Sequence, residues 1–377
     1  MNQTDNLLRA FWPTGAPHRR LGDLGRRNAG TAMTAAKMKT IATVGGPVRV
    51  FAGGRTVADV EESAIPAKDI VRESSIIVKS RGHIGFTYYE RPFTHKAELW
   101  SYTLDDAEVD QKFVYYYLLT RLGELQELAR STSVKLPQLS ARDTDNLKVP
   151  VPPLEVQREI VRILDNFTEL EAELEAEREA RRTQFDFYRE SLIAQAASAA
   201  TQVSLGEIVD LNWGDTNITK SAYVNVGERY LAYSAAGPDG SLDHFDYDRP
   251  AVVLSAIGAL AGKTWRASGR WSCIKNTIRL FPLDDSVVTV DYLYWVTSTP
   301  GFWPRKGSAQ PFIAKGDADK LQIPLPSLAQ QSELVRVLDK FDALANDLSI
   351  GLPAELAARR KQYEYYRDKL LTFKELV

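Results

Sequence analysis

The stretch "LKVPVPPLEVQREIVRILDNF" (Leu147–Phe167) recurs as "LQIPLPSLAQQSELVRVLDKF" (Leu321–Phe341), at a constant offset of 174 residues. Pro150 answers Pro324, Pro152 answers Pro326, Gln157 answers Gln331, and Leu164-Asp165 answers Leu338-Asp339. Downstream, "RRTQFDFYRESLI" (Arg181–Ile193) matches "RRKQYEYYRDKLL" (Arg359–Leu371) at an offset of 178. The four extra residues fall near "SIGLPAEL", Ser349–Leu356. Upstream, "LGDL" (Leu21–Leu24) answers "LGEI" (Leu205–Ile208). Matches in one order over this length mean two similar units in one chain.

Each copy has the same internal order. A mixed block comes first, with β-branched and aromatic runs punctuated by glycine: "SSIIVKSRGHIGFTYY" (Ser74–Tyr89) and "PAVVLSAIGALAGKTW" (Pro250–Trp265). These read as strands and turns. Alternating prolines then hold the chain extended and stop any earlier helix. A long helix follows. Ile160, Ile163, Phe167, Leu170 and Leu174 are spaced 3-4-3-4, and Leu334, Val337, Phe341, Leu344 and Leu348 repeat the spacing. Such a coiled-coil seam requires a partner helix, and the other copy is the simplest one. The first helix is expected from about Leu154 to about Ala197, roughly 65 Å long. In the second copy Gly351 and Pro353 interrupt, and Pro353 suits the first turn of a restarted helix. The divisions are an N-terminal segment (1–16), a first mixed domain (17–146), a central helical spacer (147–203), a second mixed domain (204–320) and a C-terminal helical spacer (321–377).

Composition sets outer bounds. The chain has 377 residues, 44% apolar and 25% charged, the balance of a soluble globular protein of two or more domains. The start, "MNQTDNLLRAFWP", has no secretory pattern, and the longest apolar run, Ala251–Gly262, is too short for a membrane span. A single cysteine, Cys273, excludes an internal disulfide or a cysteine-rich zinc site. A cytoplasmic location is expected. Four scattered histidines give no paired metal spacing. Net charge is −2, with residues 17–146 at +3, 147–203 at −4 and 204–320 at −1. Nothing here demands nucleic acid, and local binding stays open. The clusters "DDAEVD" (Asp105–Asp110) and "DHFDYD" (Asp243–Asp248) read as solvated turns rather than metal sites.

"SAIGALAGKT" (Ser255–Thr264) nearly forms a phosphate-binding loop. That motif sets its first glycine five positions before the second, and here Ile257 stands there. Its counterpart "KSRGHIGF" (Lys79–Phe86) shares two glycines between strands and lacks the Lys-Thr. The common feature is therefore a turn: either a plain hairpin turn or one that touches DNA. Lys79, Arg81 and His83 in one copy and Lys263, Arg266 and Arg270 in the other are the candidate DNA-binding residues, joined by Lys135, Lys306 and Gln310 near the block endings. No catalytic or metal-ligating set is found.

The repeated layout resembles the specificity subunit (HsdS) of type I restriction-modification systems. The resemblance rests on the Pro-x-Pro-x-Leu, Val-x-x-Leu-Asp-x-Phe and Gln-Tyr-x-Tyr-Tyr-Arg elements of Ile323–Phe373 and spans nearly the whole chain. It implies an α+β multidomain protein: two α/β-mixed target recognition domains separated by two long antiparallel helices, with an internal pseudo-twofold repeat. Each recognition domain would read one half of a split site on double-stranded DNA. The helices would set the spacing and dock two modification subunits, which use S-adenosylmethionine to methylate adenine. Restriction subunits using ATP and Mg would join through that core. This chain would bind no cofactor and catalyse nothing. Phe185, Tyr188, Tyr363 and Tyr366, on the distal helix, are the expected packing and subunit-docking aromatics. Two rival readings remain: a two-lobed coiled-coil scaffold that binds no DNA, favoured by the near-neutral charge, and an ATP-using enzyme, resting on the near-miss loop alone.

Overall fold

The computed structural model describes residues 15–132, 136–198, 200–346 and 351–375. Two compact units emerge, one of Met1–Glu173 with Leu356–Val377 and one of Leu174–Glu355.

In the first unit the mixed domain runs β1 (His18–Arg20), β2 (Gly25–Ala29), helix α1 (Ala35–Thr40), β3 (Val48–Phe51), β4 (Val57–Val60), β5 (Ser75–Lys79), β6 (Gly85–Tyr89), β7 (Phe93–His95) and β8 (Trp100–Leu104). Helices α2 (Gln111–Thr120), α3 (Leu122–Thr132) and α4 (Ala141–Asp145) follow, then β9 (Lys148–Pro150). One helix, α5 (Leu154–Ser198), then runs 45 residues, close to the expected span. The second mixed domain holds β10 (Thr201–Ser204), α6 (Leu205–Ile208), β11 (Val209–Trp213), β12 (Tyr230–Ser234), β13 (Gly237–Leu242), β14 (Ala251–Ser255), β15 (Thr264–Ala267), β16 (Trp271–Cys273), β17 (Thr277–Pro282), α7 (Val290–Thr297), α8 (Lys315–Ala318) and β18 (Gln322–Leu325). Helices α9 (Leu328–Asn346) and α10 (Gly351–Leu371) close the chain, with Pro353 in the first turn of α10 as expected.

The repeat extends to topology. A four-stranded sheet β2-β8-β5-β6 is matched by β11-β17-β14-β15, and a three-stranded sheet β4-β3-β7 by β13-β12-β16. The only parallel pairs among the described strands, β3/β7 and β12/β16, also correspond. Strand β1 pairs with β9 as β10 pairs with β18. The central strands β5 and β14 are apolar on both faces because both are covered. Ile76 and Val78 share a core with Phe113 of α2, while Ile77 packs with Phe51 and Phe93 of the smaller sheet. In the second domain Val252 and Leu254 join Tyr292 and Trp295, and Val253 joins Tyr233 and Trp271.

The matched glutamines clamp mixed domain to helix. Gln157 is fully buried; its amide donates to Glu108 O (2.8 Å) and Pro152 O (2.7 Å), and its oxygen accepts from Asp110 N (2.8 Å). Gln331 makes the equivalent three bonds, to Val287 O (2.9 Å), to Pro326 O (3.0 Å) and from Thr289 N (3.0 Å). Asp110 and Thr289 are the N-caps of α2 and α7, so each glutamine fixes where a domain helix starts. The matched aspartates add a second strut. Asp165 accepts from Tyr116 Oη (2.6 Å) and Lys112 Nζ (2.8 Å); Asp339 accepts from Trp295 Nε1 (2.9 Å) and Arg266 Nη2 (2.5 Å).

In the first unit α10 lies antiparallel to the start of α5. Glu171 pairs with Arg360 (2.6 Å), Phe167 stacks on Tyr366 (5.6 Å), and Leu370 joins the core of Ile160 and Leu164. The seam differs from the 3-4 reading. Leu164 and Leu338, outside that reading, are fully buried beside Ile160 and Leu334, whereas Leu170 is 46% and Phe341 43% exposed. Ile163, Val337, Phe167 and Leu174 are half-buried. The cause is the mixed domain: α5 and α9 turn the Ile160/Leu164 and Leu334/Leu338 side against α2 and α7, so one helix face serves two neighbours. The side chain of Leu344, and Leu348, lie outside the described residues.

Candidate nucleic-acid interface

The two turns singled out in the sequence are built alike. After β5, Ser80 O accepts from Leu139 N (2.8 Å) and Gly82 N donates to Pro137 O (2.9 Å). After β14, Ala256 O accepts from Ile313 N (2.8 Å) and Gly258 N donates to Pro311 O (2.9 Å). Each turn is thus pinned to the ending of its own block. Gly82 (φ 75°) and Gly258 (φ 113°) take the left-handed conformation at equivalent places, which explains the first glycine of each pair. Thr264 opens strand β15 and pairs with Leu254. A phosphate loop leads into a helix N-terminus, and this one leads into a strand.

The candidate residues divide by surroundings. Arg81, His83, Lys263 and Gln310 are exposed on or near the turns, and Arg270 is exposed in the β15–β16 connection, at the opposite end of the β14–β15 hairpin. Lys263 holds its ammonium 5.6 Å from the Trp265 ring, and Arg270 lies 4.8 Å over Phe245. Lys79 is half-buried at the end of β5; burial and the nearby Arg55 charge push its pKa down. Lys306 is paired with Asp317 (2.6 Å). Arg266 faces inward. It bridges Asp339 and Asp291 (3.3 Å) and lies 4.5 Å over Tyr294 and 5.2 Å over Trp295, joining β15 to α7 and α9. Lys135 lies outside the described residues.

Other cations belong with the exposed group. Arg55, Lys275 and Arg305 are exposed and have no acid partner among the described residues. Arg305 Nε would lie 3.2 Å from a Cβ added at Gly262, so it sits over the β14–β15 turn. Its sequence signal is only the basic pair Arg305-Lys306 before the block ending. The acidic clusters are structural where they are engaged: Asp106 pairs with Arg19 (2.6 Å) and Asp110 caps α2. Among the described residues no group of three His, Cys, Asp or Glu is placed to hold a metal ion, and no helix is long and apolar enough to cross a membrane. Cys273 is buried, which pushes its thiol up to about 11.

The four aromatic residues on the distal helices pack within their own units. Phe185 is buried against Trp295 (5.9 Å), and Tyr188 stacks on Phe341 (6.2 Å). Tyr363 and Tyr366 pack on Phe167, the repeat-equivalent of Phe341. Arg189 over Phe185 (5.7 Å) is matched by Arg367 over Tyr363 (5.8 Å). The outward aromatics are their neighbours: Phe187, 67% exposed, and Tyr365, 59% exposed, occupy equivalent positions of the two copies.

The family model for the type I restriction modification DNA specificity domain matches twice, over residues 17–181 and 200–358. The specificity subunit of the Escherichia coli EcoR124I/EcoR124II type I restriction enzyme is 29% identical over 300 residues, covering 71% of this chain and 72% of that protein. A putative type I restriction enzyme specificity subunit of Haemophilus influenzae is 28% identical over 287 residues, covering 71% and 73%. The S subunit of a type I restriction-modification system from M. genitalium shares the fold with a TM-score of 0.57 at 17% identity, covering 96% of this chain and 97% of that one.

Proposed function

Because the chain belongs to the type I restriction modification DNA specificity family, we propose that each mixed domain reads one half of a split site on double-stranded DNA. In this reading the helices fix the distance between the halves and dock two modification subunits. As a specificity subunit the chain is the non-catalytic component of its system. S-adenosylmethionine would then be held by the modification subunits, ATP and Mg by restriction subunits that join the complex, all in the cytoplasm. The observation that carries the reading is the exact-order repeat of two four-plus-three-stranded domains whose clamps match while their turn residues differ. A shared frame with unlike turns suits two readers of unlike half-sites, as paired protein units elsewhere match paired half-sites.

For docking, Phe187 and Tyr365, more exposed than Phe185, Tyr188, Tyr363 and Tyr366, replace those four as the anchors. They are the most exposed aromatics of the two helical copies and hold equivalent positions, which gives two equivalent contacts for two identical partners. The test is co-expression with the modification subunit in a host free of other adenine methylation, followed by methylome sequencing. A split motif supports the reading; a continuous motif, or methylation independent of this chain, overturns it.

A further inference from the structure

The two mixed domains share a cleft at one place in the fold. In the first, about 600 Å³ is lined by Lys39 of α1, by Ala52, Gly53 and Thr56 at the β3–β4 turn, and by Lys96 and Glu98 after β7. In the second, about 350 Å³ is lined by Lys220, by Ser234 and Ala236 at the β12–β13 turn, by Gly258, and by Lys275 and Asn276 after β16. Glu98 and Asn276 are equivalent: Glu98 O accepts from Ser80 Oγ and Asn276 O from Ala256 N (2.9 Å), and Ser80 and Ala256 hold the same place in the pinned turns. Each cleft therefore opens beside its turn, with a lysine from two separate elements. The position is kept while its chemistry changes from carboxylate to amide.

We propose that these twin clefts are the base-reading surfaces of the two domains, with Lys96–Glu98 reading a C·G pair in one half-site and Asn276 reading an adenine in the other. This rests on the half-site reading above. Lys96 Nζ stands 2.8 Å from Glu98 Oε1, so a donor and an acceptor lie side by side. In the major groove a C·G pair presents the complement: the cytosine N4 amino group beside the guanine O6 and N7 acceptors. Burial works against the charge of Glu98, yet the Lys96 hydrogen bond and the charges of Lys96 and Arg81 hold its carboxyl below the usual range, so it accepts only. The side-chain amide of Asn276 makes no hydrogen bond among the described residues. A free amide matches adenine N6 and N7 together. Its backbone, at φ 72°, suits Asn and Asp and strains most other side chains.

The test uses the complex with its modification subunit and compares methylomes, together with competition binding to duplexes varied one position at a time. Glu98→Gln should reduce discrimination at one C·G pair of one half-site by about five- to 150-fold and leave the other half intact. Asn276→Asp, which keeps the backbone conformation, should do the same at one adenine of the other half. If both variants assemble and keep the wild-type discrimination at every position, the proposal is wrong. The second arm stands alone: should the Glu98 variant fail to assemble, an unchanged motif in Asn276→Asp still overturns it. A wild-type complex with no split motif would instead overturn the half-site reading.

Discussion

Replacing Gln331 by Met keeps the side-chain volume nearly constant and deletes four hydrogen bonds at a fully buried site: the three of the clamp and a longer one from Thr289 Oγ1 (3.4 Å). A typical intramolecular hydrogen bond contributes about 1 kcal/mol net, and stranding a buried group costs about 1–3 kcal/mol. Two carbonyls and the Thr289 N–H, which begins α7, would be stranded, so the loss should be about 3–5 kcal/mol. The volume-conserving swap itself adds less than about 1.5 kcal/mol. Cys273 supplies a local readout: its buried thiol, pushed up to about 11, should label only when the second domain opens. With a urea slope of about 3 kcal/mol per molar, expected for a unit of this size, the labelling midpoint should fall by at least about 1 M. A shift below about 0.3 M, with the variant otherwise native, would refute the clamp as a structural element. Gln157→Met should cost the first unit a similar amount through its own three bonds.

Phe187→Ala and Tyr365→Ala should each weaken co-purification with the modification subunit, by about 2 kcal/mol or roughly 30-fold, leaving the thermal melt of the free chain unchanged; undiminished recovery counts against the docking face. Lys263→Ala should weaken DNA binding about equally across sequences and lower the salt slope by about one, while calorimetry detects no ATP binding to either protein. Micromolar ATP binding lost on substitution would contradict that. His95 is buried in the first domain, and burial depresses its pKa below the ordinary 6.5. The unfolded state therefore binds the extra proton, so stability present above pH 6.5 should decline as pH falls below it, by at most about 1.4 kcal/mol per unit from this one group. Denaturant melts of wild type and His95→Gln between pH 7 and 5 check the sign: the difference between them should shrink with acid.

The helices and hinges were legible because they depend on local rules. Alternating prolines and a breaker-free run mark the start of α5 at Leu154 with no tertiary information. The order of the repeat likewise exposed Gln157/Gln331 and Asp165/Asp339 as matched pairs, though not their partners in the mixed domains, which lie 42 to 73 residues away along the chain. A 3-4 seam says that a helix needs a neighbour; it does not say that a sheet domain will claim one side of it, which is why Leu164 and Leu338 escaped and Leu170 was overvalued. The surroundings of Arg266 were hidden for the same reason. Its distance from Asp339 is 73 residues, and only the fold shows that its charge is already engaged. The exposed cations were half-legible: those on the two glycine turns were visible, whereas Arg55 and Lys275 gain meaning only when the two domains are compared strand by strand.

The most direct test of the central claim is exchange of residues 17–146 for the corresponding block of a relative that directs methylation to a different motif. The exchanged complex should methylate a site with one new half and one unchanged half, at a spacing still set by α5 and α9–α10 of this chain. A motif altered in both halves, or in neither, would contradict the account.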